Sequence, residues 1–447
     1  MKKNIAALFP VVILSACIGG NSTSNTAGTS TANSTQNQTT TQTPASASNT
    51  TLLAYLNSLR TLAGEPSYVI NSQLTVSSTA HSNYQLTNNV MSHNEDPAKA
   101  GFTGLAPADR TKAAGYLITG VSEDISYDKD TGEALLDELM TAVYHRMGLL
   151  DFDKDEIGFG FVKNTKTTNG TLWSALTTNS GLKPFNDLCA TGGDVISSGT
   201  YYLCNDNATK VSSTHYDQWL ASLRVQSSDL IVWPPAGSTV PPYFYEESPD
   251  PLPTCSVSGN PVSVQVNPAK ISQIILDYAS LVLKEKVSGA TVPIFSTLSN
   301  VSAQPDPLAS QLLNITKPWI AVFPTLRLNW GMTYQASINY TNSGVAQTKT
   351  WEFSTKSLTQ TPIILTQVNT TITANGQTQF VIYIPPGDCK ASTTQATSSA
   401  SGPTTPLVTF QTVDNHTFIV TTSGVSTATL TFTQVGNQTF TKTLTIN

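Results

Sequence analysis

Charge is scarce in this chain. Of 447 residues only 12% are Asp, Glu, Lys or Arg, the formal net charge is -6, and no charged side chain stands between Asn4 and Leu59. There is no Lys/Arg cluster, so the electrostatic footprint that a nucleic-acid partner requires is missing and no such partner is expected. Long apolar runs are missing too. The stretch NIAALFPVVILSA, 4–16, falls short of the roughly 20 residues that a helix needs to cross a bilayer. The chain contains no GxSxG elbow, no HExxH pair and no glycine-rich phosphate loop, so three common kinds of catalytic site have nothing to build on. Cysteine is sparse, with five in all.

What is present begins at the N-terminus. Lys2 and Lys3 precede the short apolar run, which ends in Leu14, Ser15, Ala16 and Cys17, the large-small-small-Cys order that bacterial lipoprotein processing reads. Residues 1–16 are therefore expected to be a cleaved lipoprotein signal, with Cys17 the lipidated first residue of the mature chain and the lipid bilayer its partner. Ile18, where Asp would signal retention, resembles lipoproteins sorted to the outer membrane of a Gram-negative cell. Residues 17–50 are almost wholly Ser, Thr, Asn, Gln, Gly and Ala. Such a segment buries too little apolar surface to offset its ordering entropy, and it reads as a disordered tether. Cys189, Cys204, Cys255 and Cys389 then form an even set in an exported chain, where disulfides are permitted. Cys189 with Cys204 is the expected bridge, because closing a loop of about 15 residues contributes roughly 3 kcal/mol. Cys255 and Cys389 either pair across a domain boundary or stay free.

About 400 residues remain after signal and tether, too many for a single core. Helical periodicity dominates the first part. Leu52, Leu56, Leu59 and Ala63 form one stripe that stops at Gly64; a second helix is expected over 72–88 and a third from Pro107 to Gly115. A fourth starts at Thr131 as N-cap, buries Leu135, Leu139 and Val143, and runs on into His145. The strands EIGFGFV and TLWSALTT follow, the glycines of the first allowing close backbone approach. The segment 232–253 carries seven prolines and reads as an extended connector packed on a neighbour. Beyond it the period changes to two. Met332, Tyr334, Ala336, Ile338 and Tyr340 share one face, with Trp351 and Phe353 in register. Ala428, Leu430 and Phe432 lead through a Gly436-Asn437 turn to Phe440, Leu444 and Ile446. Two β-sandwiches are expected, over 226–357 (with the connector) and 358–447.

The order of short motifs in the first part resembles the CAP superfamily of cysteine-rich secretory, antigen 5 and pathogenesis-related proteins, in its bacterial secreted (SCP-like) branch. The motifs are AHSNY (80–84), MSH (91–93), TGLAPADR (103–110), GY (115–116), VSED (121–124), YHR (144–146) and EIGFG (156–160). The resemblance implies an α+β fold: a CAP-type α-β-α sandwich, here with a C-terminal extension over 51–225, followed by the two all-β, Ig-like sandwiches. It also implies a cleft lined by two His and two Glu, which in some members holds a divalent metal. Carried over residue by residue, the first His is His93, the first Glu is Glu123 and the second His is His145. The second Glu has no counterpart, since the turn before His145 holds Thr141 and Ala142. Glu138, two helical turns before His145, and Glu95, two residues after His93, are the available substitutes. His93, His145 and Glu123 are thus the expected ligands if the cleft binds a metal such as Zn²⁺; otherwise the carboxylates fix the imidazole tautomers.

Other residues have plainer readings. His81, seven positions after Leu74, is expected to be a partly buried helix residue and no ligand. Arg110 and Arg146 are expected to pair with acids of the same domain, and His215 and His416 to lie at the surface. Asp151, Asp153 and Asp155 mimic the start of an EF-hand loop, but Glu156 stands where its turn needs Gly and Val162 where it needs the closing Glu, so the stretch reads as a charged turn. The preferred function is a cell-surface binding module whose cleft takes a peptide, lipid or glycan ligand of the envelope or surroundings. A metal-assisted hydrolase and an adhesive or structural envelope protein are the alternatives.

Overall fold

A computed structural model describes residues 45–165, 171–194, 200–255, 257–299, 318–358, 360–367, 369–373, 377–385, 389, 393–401, 408–414, 416–423, 427–435 and 440–446. The expected signal, most of the tether, Cys17 and the Gly436-Asn437 turn lie outside the described residues. Among the described residues no helix is long and apolar enough to cross a membrane.

The first domain is built on a four-stranded sheet. Its strands are β1 (Val69–Ile70), β2 (Ser122–Tyr127), β3 (Glu156–Lys163) and β4 (Ser174–Gly181), in the order β1-β3-β4-β2. Only the β1–β3 pair is parallel. Helix α1 (Ala45–Ala63) buries Leu52, Leu56, Leu59 and Ala63, and Gly64 ends it with φ of 92°. Helix α2 (Ser72–Asn88) starts where Asn71 Oδ1 accepts the N–H groups of Gln73 and Leu74, the usual work of an N-cap. It lies directly on β3. A Cβ on Gly158 or Gly160 would come within 2.2 Å of α2 backbone atoms of Leu74, Thr75 or Ser78, so the glycines of EIGFG are there for that close approach. Ile157 and Phe159 alternate to the other face and join the core formed with Leu56 and Leu139. Helices thus cover both faces, the α-β-α arrangement.

Helix α3 (Pro107–Ala113) follows the loop that holds His93. Helix α4 (Gly132–Thr141) is capped by Thr131, but it does not continue into His145. The backbone turns extended at Ala142 (ψ 124°), and a separate helix α5 (Val143–Leu149) begins. The expectation of one helix through His145 is corrected here. Leu135, Leu139 and Val143 are all buried, so apolar spacing runs across a break it cannot reveal. In the extension, α6 (Lys183–Ala190) and α7 (Ser213–Arg224) are added, and the disulfide joins Cys189 of α6 to Cys204.

Two β-sandwiches follow. In the middle one, strands Ile294–Ser299, Trp319–Pro324, Val262–Val266 and Leu230–Trp233 form one sheet in that order; Thr333–Asn342 and Val345–Thr355 anchor the other. Tyr334, Ala336, Ile338, Trp351 and Phe353 face its core, while Met332 and Tyr340 are half-buried at its margin. Two four-stranded sheets make up the last sandwich, around Phe380, Ile382, Phe418, Val420, Leu430 and Phe432.

The Pro-rich segment starts as the edge strand Leu230–Trp233 and ends packed on the first domain. The two domains share one apolar core, with Leu52 and Leu139 in the same cluster as Val232 and Val264. Polar ties reinforce it: the Lys356 ammonium pairs with Asp137, which also accepts the Tyr55 hydroxyl at 2.5 Å, and Asn267 Nδ2 donates to the carbonyl of Arg224 at 2.7 Å.

Candidate functional site

Strand β2 sets Glu123 and Asp124 on opposite faces of the sheet, because successive side chains alternate. Each carboxylate organises its own buried network. On the α2 side, Arg110 Nη2 donates to both Glu123 oxygens at 2.7 Å, and His93 Nδ1 lies 2.9 Å from Oε1. His81 stands beside them. Its Nδ1 is 2.8 Å from Glu95 Oε1 and its Nε2 is 2.9 Å from the Ser92 carbonyl and 3.7 Å from Glu123 Oε1. Glu95 also accepts Thr103 N at 2.6 Å, closing the loop between α2 and α3 over the network.

Burial alone would raise the Glu123 carboxyl, but His81, Arg110 and His93 together outweigh it and hold the group down at about 2. Glu95 is likewise held below the usual carboxylate range: burial opposes, while His81, Thr103 N and Arg110 prevail. The two acids are therefore ionised, and the buried Arg110 guanidinium lies against both.

On the other face Asp124 looks toward α5, with both carboxylate oxygens beside Gly148. Burial pushes Asp124 up to about 6, against the pull of His145 and His93. His145 is fully buried in the first turn of α5. Its Nδ1 is 3.2 Å from Glu247 Oε2, and Glu247 also accepts Val143 N at 2.7 Å and Tyr144 N at 2.9 Å. A glutamate from the Pro-rich segment therefore caps α5 and partners His145 together, as a carboxylate at a helix N-terminus should.

His93 and Glu123 thus meet, as the motifs implied, and Glu95 joins the same network through His81. His145 belongs to the second network. Glu138 reaches neither; the break at Ala142 removes it from the face of His145, and it binds Lys129 Nζ at 2.6 Å and Ser126 Oγ at 3.1 Å. Other expectations are corrected as well. His81 is a central member of the site, and the AHSNY motif carried that signal. His416 is buried, whereas His215 is exposed and pairs with Asp194. Arg110 pairs with acids as expected. Arg146 instead donates to the carbonyls of Met140 and Thr141 and to Ser263 Oγ, and stacks 5.1 Å from the Trp233 ring. Asp153 of the charged turn pairs with Arg224. Glu247 carried no local signal at all.

Zn²⁺ on His93, His145 and Glu123 does not fit this arrangement. The Arg110 guanidinium occupies both oxygens of Glu123, and His145 turns Nδ1 to Glu247. Among the described residues no three His, Cys, Asp or Glu side chains are grouped as a metal ion requires.

The first domain is thus an α-β-α sandwich with a His–Glu–Arg network between its sheet and its second helix. Residues 53–176 match the family model described as cysteine-rich secretory protein family, CAP; this part of the chain is a CAP domain. No curated protein matches the chain. Among solved structures, similarity is found to an extracellular protein containing an SCP domain from Bacillus anthracis, at 19% identity and a TM-score of 0.26, covering 31% of this chain and 41% of that one. The present chain thus spans less than half of that protein's length. An outer surface protein from Borrelia burgdorferi is 16% identical with a TM-score of 0.25, covering 30% of this chain and 90% of that one. The Ig1-2 module of a Drosophila receptor protein tyrosine phosphatase is 13% identical with a TM-score of 0.13, covering 42% of this chain and 89% of that one.

Proposed function

We propose that the protein is a cell-surface lipoprotein, anchored at the outer membrane through Cys17, whose CAP domain binds a peptide, lipid or glycan of the envelope or surroundings. The tether over 17–50 joins that domain to the bilayer, and the β-sandwiches follow the domain in the chain. The Cys189–Cys204 disulfide supports export to an oxidising compartment, and the order Leu14, Ser15, Ala16, Cys17 supports lipidation.

One observation carries the preference for binding over hydrolysis. Glu123, the carboxylate that would act as general base, is clamped by Arg110 and held at about 2, far from the value near operating pH that proton transfer favours. The recognition surface then lies at the rim, where the loop carrying His93 exposes Asn94 and Asp96. One observation favours the hydrolase: Asp124, raised to about 6 between two histidines, has the proton affinity of an acid–base catalyst.

The purified chain from residue 51 onward, tested against phospholipid vesicles, short peptides and peptidoglycan fragments, distinguishes the two. Binding that protects 90–105 from hydrogen exchange, with no product formed, is expected. Turnover that titrates near pH 6 and disappears in Asp124→Asn would establish the hydrolase instead.

A further inference from the structure

Two cysteines far apart in the chain meet where three domains converge. Cys255 follows the Pro-rich segment, eight residues after Glu247, and Cys389 belongs to the last sandwich. Val257 N donates to the Cys389 carbonyl at 3.1 Å, bringing the two backbones side by side. The Cys255 thiol lies 3.4 Å from the Val257 carbonyl and within hydrogen-bonding reach of the Cys389 thiol. Both are buried as thiols in this structure. They share an apolar cluster with Phe244, Leu252 and Phe323 of the middle domain and with Val143 and Tyr144 of α5.

We propose that Cys255 and Cys389 are the site of a second disulfide, which staples the last sandwich to the segment that delivers Glu247 to the CAP domain. The proposal does not rest on the ligand-binding reading. The co-reactant is a protein or small-molecule disulfide of the exported compartment, the kind of donor that Cys189–Cys204 also requires. One thiolate attacks a donor sulfur and forms a mixed disulfide, releasing the donor's first thiolate. The other cysteine thiolate then displaces the second. Two electrons and two protons pass from the protein to the donor. Thiolates are the reacting species, and burial among apolar side chains disfavours them, so the exchange takes place before the domains close. Once formed, the bond is shielded by the same cluster.

The test uses the full chain, with its own signal, exported to the periplasm. It is denatured in excess iodoacetamide without reductant and mapped by peptide mass. The expected result is a linked peptide pair containing Cys255 and Cys389, with neither residue carbamidomethylated. In Cys389→Ser, prepared the same way, Cys255 should become fully alkylated. Alkylation of both Cys255 and Cys389 in the unsubstituted protein, whatever the state of Cys189 and Cys204, overturns the proposal, as does linkage of either to a different cysteine.

Discussion

Removing the Glu247 carboxylate tests the reading of α5 most directly. In Glu247→Ala the N–H groups of Val143 and Tyr144 lose their acceptor in a buried place, and His145 Nδ1 loses its partner. Each orphaned buried donor costs about 1–3 kcal/mol, and more where the lost acceptor is a carboxylate. These costs overlap, so a local destabilisation of about 3–5 kcal/mol is expected. Glu247→Gln keeps one acceptor oxygen and loses the charge, which should cost roughly half as much, about 2 kcal/mol. Hydrogen exchange followed by mass spectrometry reads this locally. At about 1.4 kcal/mol per tenfold, peptides spanning 143–149 should exchange at least about a hundredfold faster in Glu247→Ala. Peptides from α2, held by β3 and not by Glu247, should be unchanged and serve as the control. Exchange in 143–149 that stays within about threefold of the unsubstituted protein would refute the assignment of Glu247 as cap and partner.

Three further outcomes follow from the two networks. Asp124, raised from 3.8 to about 6, weakens the fold as pH climbs through that interval, because the folded state resists ionisation that the unfolded chain accepts. Asp124→Asn should therefore stabilise the protein at pH 7.5 by up to about 3 kcal/mol and make little difference at pH 3.5, as denaturant midpoints at the two pH values will show. Glu123 has the opposite sign. Lowered from 4.5 to about 2, it contributes up to about 3 kcal/mol above pH 4.5 that is lost as pH falls toward 2. Arg110→Ala should shift acid unfolding to higher pH, and an unmoved acid transition would contradict the pairing. Finally, titration calorimetry with Zn²⁺ should show no stoichiometric uptake by the full chain. One equivalent bound, and lost in His93→Ala, would show that Arg110 yields Glu123 to a cation.

The elements legible in the sequence were those whose causes are local. Leu52, Leu56, Leu59 and Ala63 repeat at helical spacing and α1 buries all four. Thr131 carries the side-chain oxygen that a cap requires, and α4 begins after it. The glycines of EIGFG implied a close approach, which α2 makes. The break at Ala142 was not legible, since the carboxylate that receives the first N–H groups of α5 lies 102 residues or more away in sequence from the groups it binds. His416 was misjudged because its neighbours in sequence are polar, whereas the fold buries it, with its carbonyl accepting Ile384 N.

His145 shows why the site's second half resisted inference. The apolar repeat sets it at the end of one long helix, whereas the fold sets it in the first turn of α5. The turn before it, Thr141 and Ala142, brings it no carboxylate. The acid arrives on the Pro-rich segment, whose extended backbone can carry a side chain to a helix end without first satisfying a ladder of its own. The CAP domain is consequently not self-sufficient in this chain. Its second histidine is organised by the neighbouring domain, and that neighbour is in turn held by the shared core of Leu139, Val232 and Val264. Excision of the CAP domain alone would leave His145 and the start of α5 without Glu247, so the chain through the middle sandwich is the smallest unit in which both networks are complete.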